Sequence, residues 1–127
     1  MKLVIGGAFQ GKLDFARKQF RQEDGWVDGC TCGKEELFAC KGIFHFHEYV
    51  KRLLREEKAA DKIAEELIRN NPDCIIVTNE LGSGIVPVDA FDREYRETTG
   101  RICTKLAAYA DEVYRVICGN GQVIKGA

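Results

Sequence analysis

The sequence predicts an α/β domain: a mostly parallel sheet flanked by helices, with a β-hairpin at its C-terminal end. Short apolar runs at Leu3-Val4-Ile5, Ile43-Phe44 and Cys74-Ile75-Ile76-Val77-Thr78 alternate with stretches of helical periodicity long enough to cross over a sheet. The first run breaks directly into a glycine-rich turn and then a helix-like stretch. Near the end, two strand-like runs flank Gly119-Asn120-Gly121, a hairpin pattern. At 127 residues the chain is the size of one domain, and no repeat, low-complexity tract or linker divides residues 1–127.

Composition narrows the function classes. Nineteen basic and twenty acidic residues leave a net charge of −1, without the basic excess of a nucleic-acid groove or a membrane-surface patch. No apolar run approaches a membrane span. The N-terminal residues run straight into strand and loop without a signal-peptide pattern, so the cytoplasm is the expected compartment. Reduced thiols are then expected for the six cysteines. Cys74, Cys103 and Cys118 lie in apolar patterns and read as small buried residues.

In chain order, residues 14–21 carry Phe15, Ala16 and Phe20 among basic and polar neighbours, a short amphipathic helix ending near Asp24-Gly25. Residues 26–33, rich in turn formers and without periodicity, read as a loop. Two apolar pieces follow, residues 37–40 and 43–46, of which the second is the better strand. Residues 48–69 place Tyr49, Val50, Leu53, Leu54, Ala60, Ile63, Ala64, Leu67 and Ile68 at spacings of three and four. This predicts one long helix, with Glu48–Arg52, Lys62–Glu66 and Glu65–Arg69 as pairs on its outer face. Asn70-Asn71-Pro72-Asp73 stops it. The β-branched run at residues 74–78 is the clearest strand, and residues 79–87 are too glycine-rich for regular structure. Asp89 is a helix N-cap, with Phe91, Tyr95, Ile102, Leu106 and Tyr109 as the inner face of a helix reaching about Ala110. Residues 112–118 and 122–125 complete the hairpin.

The chemistry centres on Gly6-Gly7-Ala8-Phe9-Gln10-Gly11-Lys12-Leu13. Gly6-x4-Gly11-Lys12, between a strand and a helix, has the spacing of a phosphate-binding loop. Its glycines let backbone N–H groups converge on an anion, the helix start adds its positive end, and lysine adds a full charge. Leu13 stands where the motif has a Ser or Thr whose hydroxyl holds Mg2+, which puts the magnesium in doubt. In such sheets ligands sit beyond the carboxyl ends of the strands. That places the loop at Gly6, the residues after Phe46 and the loop at Glu80 on one edge.

The segment Val77-Thr78-Asn79-Glu80-Leu81-Gly82-Ser83-Gly84-Ile85-Val86-Pro87 resembles one of the adenosylcobinamide kinase / adenosylcobinamide-phosphate guanylyltransferase family. Gly100-Arg101, Leu106-Ala107, Ala110-Asp111-Glu112-Val113 and the run from Val116 to Lys125 follow at the family's spacing, and Gly6-Gly7-Ala8-x-x-Gly11-Lys12 matches its front motif. The resemblance covers residues 2–16 and 73–125. It implies a P-loop-type α/β fold and an oligomeric enzyme of cobalamin assembly that uses magnesium, with ATP or GTP bound at Gly6–Lys12. Such an enzyme phosphorylates the corrinoid's aminopropanol hydroxyl, then transfers GMP from GTP through a guanylylated histidine. The chain departs from the pattern at Leu13 and at Cys103-Thr104, where the family has Asn-Gln. It also departs at Ile43-Phe44-His45-Phe46-His47-Glu48, where the family's strand ends in a carboxylate. The segment after the first helix is shortened too; it carries the family's histidine, and residues 24–41 here hold none.

Lys12 and Glu80 are therefore the candidate catalytic residues, Glu80 through a water-held magnesium or as base on the acceptor hydroxyl. A structural role for Glu80 and Asn79 within their own loop stands beside that reading. His45 and His47, two apart on the expected strand, share a face and are candidate pocket residues with Asn79. Cys30-Thr31-Cys32, with Cys40, His45 and His47, offers zinc-type ligands, but the C-x-C spacing matches no zinc-finger pattern and no metal site is assigned. Two functions follow, with a small zinc-bearing domain as a third reading behind them. One is a shortened kinase of this family binding a nucleotide and a corrinoid, with a homo-oligomer implied. The other is a non-catalytic nucleotide- or corrinoid-binding module derived from it. Neither nucleic acid nor membrane is an expected partner.

Overall fold

A computed structural model of the chain describes residues 1–81 and 89–126. Its sheet has six strands in the order β2-β3-β4-β1-β5-β6. The central strands are β1 (Lys2–Gly6), flanked in parallel by β4 (Ile75–Asn79) and β5 (Glu112–Ile117). Beyond β4 lie β3 (Gly42–Phe44) and β2 (Trp26–Asp28), both parallel, and β6 (Asn120–Lys125) pairs antiparallel with β5. This is the expected P-loop-type α/β arrangement with its C-terminal hairpin.

Alternation along the strands sends side chains to two cores. Leu3, Ile43, Ile76 and Val113 point to the larger, under α3 (Phe46–Arg55), α4 (Ile63–Asn70) and α5 (Ala90–Tyr109). Val4, Ile75, Val77 and Val116 point to the smaller, where α1 (Lys12–Gln19) contributes Ala16 and Phe15. None of the described helices is long and apolar enough to cross a membrane.

Several elements differ from expectation, each for a local reason. Residues 26–33 contain β2, a three-residue edge strand too short to show periodicity. It is fixed by Trp26, whose ring lies over Gly42 on β3 so closely that a Cβ there would sit 2.5 Å from it, and whose Nε1 donates to the Gln22 carbonyl at 2.7 Å. The apolar piece at residues 37–40 belongs to a short helix, α2 (Lys34–Ala39), and its C-cap; Glu36 accepts the Gly33 N–H at 3.0 Å and Leu37 is buried.

The long helix expected over residues 48–69 is broken. α3 ends in a Schellman motif: the Glu57 N–H donates to the Leu54 carbonyl at 3.1 Å and the Lys58 N–H to the Leu53 carbonyl at 2.9 Å, with Glu57 left-handed at φ 55°. A 3-10 turn (Ala60–Lys62) then leads into α4. Without Gly or Pro at the break, periodicity ran through it. The expected i,i+4 pairs give way to longer-range ones: Glu65 pairs with Lys105, Glu66 with Lys34, and Arg52 donates to the Gly29 and Cys32 carbonyls.

Asp89 caps α5 as expected, accepting from the Phe91 and Asp92 N–H groups at 2.7 and 3.2 Å. Ile102 and Leu106 are buried, but Tyr109 at the helix end is exposed. The hairpin turns on Cys118 and Gly119, both with positive φ as a two-residue primed turn requires, so Asn120 and Gly121 already belong to β6 and Cys118 is exposed rather than core.

A left-handed non-glycine residue costs about 1–2 kcal/mol, so glycine at position 57 relieves more strain than the entropy it adds. Glu57→Gly is expected to raise stability by about 0.5–1 kcal/mol in urea unfolding. A decrease would show that α3 does not end there.

Candidate functional site

The carboxyl ends of β1, β3 and β4 open onto a cleft of about 490 Å³. One wall is the loop and first turn of α1 from Ala8 to Asp14; the other is Phe44, His45, His47 and Glu48, with Val77, Thr78 and Asn79 at the floor and Cys30 at the rim. The edge expected from topology is thus where the cleft lies.

The glycine loop is held from behind. The Gly119 N–H donates to the Gln10 carbonyl at 2.8 Å and the Cys118 N–H to Gln10 Oε1 at 2.6 Å, so the hairpin turn clamps the loop. Gly11 caps α1 in the left-handed region at φ 78°. Gly6 is outside the cleft lining; a Cβ there would lie 2.6 Å from the Val116 carbonyl oxygen, so close strand packing demands this glycine. Gly7 is exposed and also outside the lining, and its carbonyl accepts from Lys12 Nζ at 2.6 Å. Phe9, left-handed at φ 59°, projects fully into solvent at the cleft mouth. Leu13 lines the cleft without an oxygen to offer.

Lys12 is buried, and burial pushes its ammonium below the usual lysine range against the opposing pull of Glu80. An anion in the cleft compensates that penalty. Glu80 is not part of the lining. Arg115 holds its carboxylate with both oxygens, Nε to Oε1 at 3.0 Å and Nη2 to Oε2 at 3.1 Å, while the Glu80 N–H continues the ladder to the Gly6 carbonyl at 2.8 Å. The remainder of the motif, from Gly82 to Pro87, lies outside the described residues.

His45 and His47 do not share a strand face as expected. β3 ends at Phe44; His45 is the N-cap of α3 with φ 55°, and His47 is in the first helical turn. Parallel pairing of β3 with β4 stops at Ile43↔Ile76, so the Asn79 N–H has no neighbouring strand, and it donates instead to His47 Nδ1 at 3.1 Å. That bond leaves the imidazole proton on Nε2, 3.8 Å from Glu48 Oε1. Burial pushes His47 down to about 4, although Glu48 pulls the other way. His47 is therefore a neutral donor at ordinary pH.

His45 Nδ1 lies 3.0 Å from Asp28 Oδ1 and 3.6 Å from Cys30 Sγ. Both partners meet one ring nitrogen, so this is no nucleophile–base–orienter relay, which needs the two nitrogens separately. Burial and then the Asp28 carboxylate push the Cys30 thiol up to about 11, which removes it as a nucleophile. Burial opposes ionisation of Asp28, but the Cys30 N–H and the His45 ring outweigh it and hold the carboxyl below its usual range. Of the cysteines and histidines considered from spacing, Cys30 and His45 come together, while Cys32 and Cys40 lie elsewhere. Cys32 and Cys40 are buried in the large core, where Cys40 Sγ is 3.9 Å from Cys74 Sγ. Asp28 and Thr78 were missed, the first inside an unrecognised strand and the second as an ordinary β-branched strand residue.

Sheet, clamped glycine loop and cleft together define a P-loop-type α/β protein. Residues 34–124 match the family described as cobinamide kinase / cobinamide phosphate guanyltransferase, and the chain belongs to that family. The matched residues include the segment at Val77–Pro87 and exclude the glycine loop. A curated relative is the bifunctional adenosylcobalamin biosynthesis protein CobU of Salmonella typhimurium LT2, 42% identical over 73 residues covering 54% of this chain and 40% of that protein. The protein of the same name from Escherichia coli K12 is 47% identical over 51 residues, 40% of this chain and 28% of its own length. The aligned stretches thus span less than half of these relatives.

The His47 shift makes a pH prediction. Its folded value lies below the usual unfolded value of about 6.5, so the unfolded state binds more protons between those limits. Stability is full above about pH 6.5 and falls as pH drops toward 4, by up to about 3 kcal/mol at about 1.4 kcal/mol per pH unit. Urea midpoints at pH 7 and pH 4.5 measure this. His47→Asn is expected to flatten the slope between them.

Proposed function

We propose that the cleft binds the phosphates of ATP or GTP, and that the protein serves the phosphorylation of a cobinamide-type corrinoid rather than guanylyl transfer. The observation that carries the reading is Lys12, buried against the Gly7 carbonyl at 2.6 Å beside the open first turn of α1. A phosphate there accepts from the ammonium and the helix-start N–H groups, and its charge offsets the lysine's desolvation.

Guanylyl transfer through histidine fits the cleft poorly. His47 has Nδ1 occupied by the Asn79 N–H and its proton on Nε2, and His45 directs Nδ1 at Asp28 and Cys30. His47 thus has no basic nitrogen free, whereas in His45 the Asp28 carboxylate accepts from Nδ1 and leaves Nε2 basic, so the case against guanylyl transfer rests on the absence of a histidine from residues 24–41. Phosphoryl transfer relies mainly on positioning and charge neutralisation, which Lys12, the loop amides and the neutral Nε2–H of His47 supply. Magnesium does not fit the loop in the usual way, because Leu13 has no oxygen and Glu80 is engaged by Arg115. Glu80 acts here through its charge on Lys12. That same disagreement favours a second reading, in which the chain binds nucleotide or corrinoid without turnover.

Two measurements test this. GTP or ATP is expected to raise the melting temperature, the stabilisation reaching about 2.7 kcal/mol at a hundredfold excess over Kd. Lys12→Met keeps the apolar stem and removes a charge that burial disfavours. It is expected to fold at least as stably and bind nucleotide at least about tenfold more weakly. Mass spectrometry after incubation with nucleotide, magnesium and cobinamide then looks for a phosphorylated corrinoid. Bound nucleotide without product selects the binding module, and no thermal shift with either nucleotide, nor with cobinamide alone, overturns both.

A further inference from the structure

Asp28, Cys30 and His45 lie on two segments far apart in sequence, the end of β2 and the β3–α3 junction, yet their ligand atoms all fall within 4.8 Å of one another. Several features hold them there. The Gly29 N–H donates to the Phe44 carbonyl at 2.8 Å, and a Cβ on Gly29 would collide with the His45 carbonyl, so only glycine lets the segments approach. Arg52 of α3 ties the other side, donating to the Gly29 and Cys32 carbonyls at 2.9 and 2.8 Å. His45 is held left-handed at φ 55°, a conformation that costs free energy in a non-glycine residue and aims its ring at the other two.

We propose that Asp28, Cys30 and His45 form a zinc site at the rim of the cleft. The spacing fits. A tetrahedral zinc with bonds of about 2.3 Å to sulfur and about 2.0 Å to nitrogen separates those atoms by about 3.5 Å, against 3.6 Å between Cys30 Sγ and His45 Nδ1. The Asp28–His45 separation of 3.0 Å needs only a few tenths of an ångström of opening. One thiolate, one carboxylate and one neutral imidazole balance a divalent charge, and the mixed sulfur–nitrogen–oxygen set suits zinc better than magnesium or calcium. On binding, the thiol proton passes to solvent and zinc replaces the direct His45–Asp28 hydrogen bond. Three protein ligands leave a fourth position, and since Cys30 and His45 both line the cleft, that position is open to it. The site is independent of the nucleotide reading: Lys12 and Leu13 lie on the opposite wall.

The test uses the whole chain without nucleotide, stripped with chelator and titrated with Zn2+ against a chromophoric competitor. One zinc per chain is expected. Co2+ in its place is expected to give a thiolate-to-cobalt charge-transfer band in the near ultraviolet. Cys30→Ser is expected to abolish the band and weaken zinc at least about 100-fold. His45→Asn, which tolerates the left-handed backbone, is expected to weaken it by at least about tenfold with the circular dichroism spectrum unchanged. Cys118→Ser, which removes an exposed thiol elsewhere, is expected to change neither. Zinc retained in Cys30→Ser, a cobalt spectrum without the thiolate band, or loss of binding in Cys118→Ser overturns the site.

Discussion

The arrangement of the cleft depends on one unequal pair of strands. β4 runs to Asn79 while β3 stops at Phe44, which exposes a backbone N–H at the floor of the site. A buried amide without a partner costs about 1–3 kcal/mol, and the His47 ring is the group that meets it. For that ring to reach, α3 must begin at Phe46, directly after the strand, and the chain must make its turn in a single left-handed residue, His45. The turn in turn carries His45 to Asp28 and fixes the close passage at Gly29. One missing strand partner thus accounts for the tautomer of one histidine and the position of the other.

The opposite wall follows a different logic. Lys12 is placed where solvent is scarce, beside a carbonyl, at the start of a helix whose first turn lines the cleft. Glu80, the nearby acid, lies outside the lining with both oxygens on Arg115, and reaches Lys12 only through its charge. Of the charged side chains lining the cleft, Lys12 and Asp14 stand on the loop wall and Glu48, beside neutral His47, on the wall that faces it.

Much of the fold was legible because the long elements obey simple periods. β4, α5 with its Asp89 cap, and the hairpin are all visible in the residues themselves, and Gly6-x4-Gly11-Lys12 marks the loop. The failures are short or depend on distant partners. β2 has three residues and owes its existence to Trp26 meeting Gly42, a contact across sixteen positions of sequence. The break after α3 has no helix breaker, since Glu57 occupies a place that glycine normally fills. The site shows the same division. Lys12, His45, His47 and Asn79 were singled out and do line the cleft. Glu80 was singled out and lies beside it instead, because its pairing with Arg115 is set by sheet order rather than local spacing. Asp28 gave no signal at all, being a single carboxylate in a strand that the sequence does not announce.

The clamp on the glycine loop carries a last consequence. Gln10 receives the N–H groups of both turn residues of the hairpin, one through its carbonyl and one through its side chain. Any rearrangement that moves Gln10 must release or tighten those two amides, which lie outside the cleft lining and touch no ligand there. Their exchange with deuterium is consequently a remote gauge of loop rigidity, readable without labelling the cleft or filling it. The hairpin is thus mechanically continuous with the loop: slack in one is recorded as openness in the other.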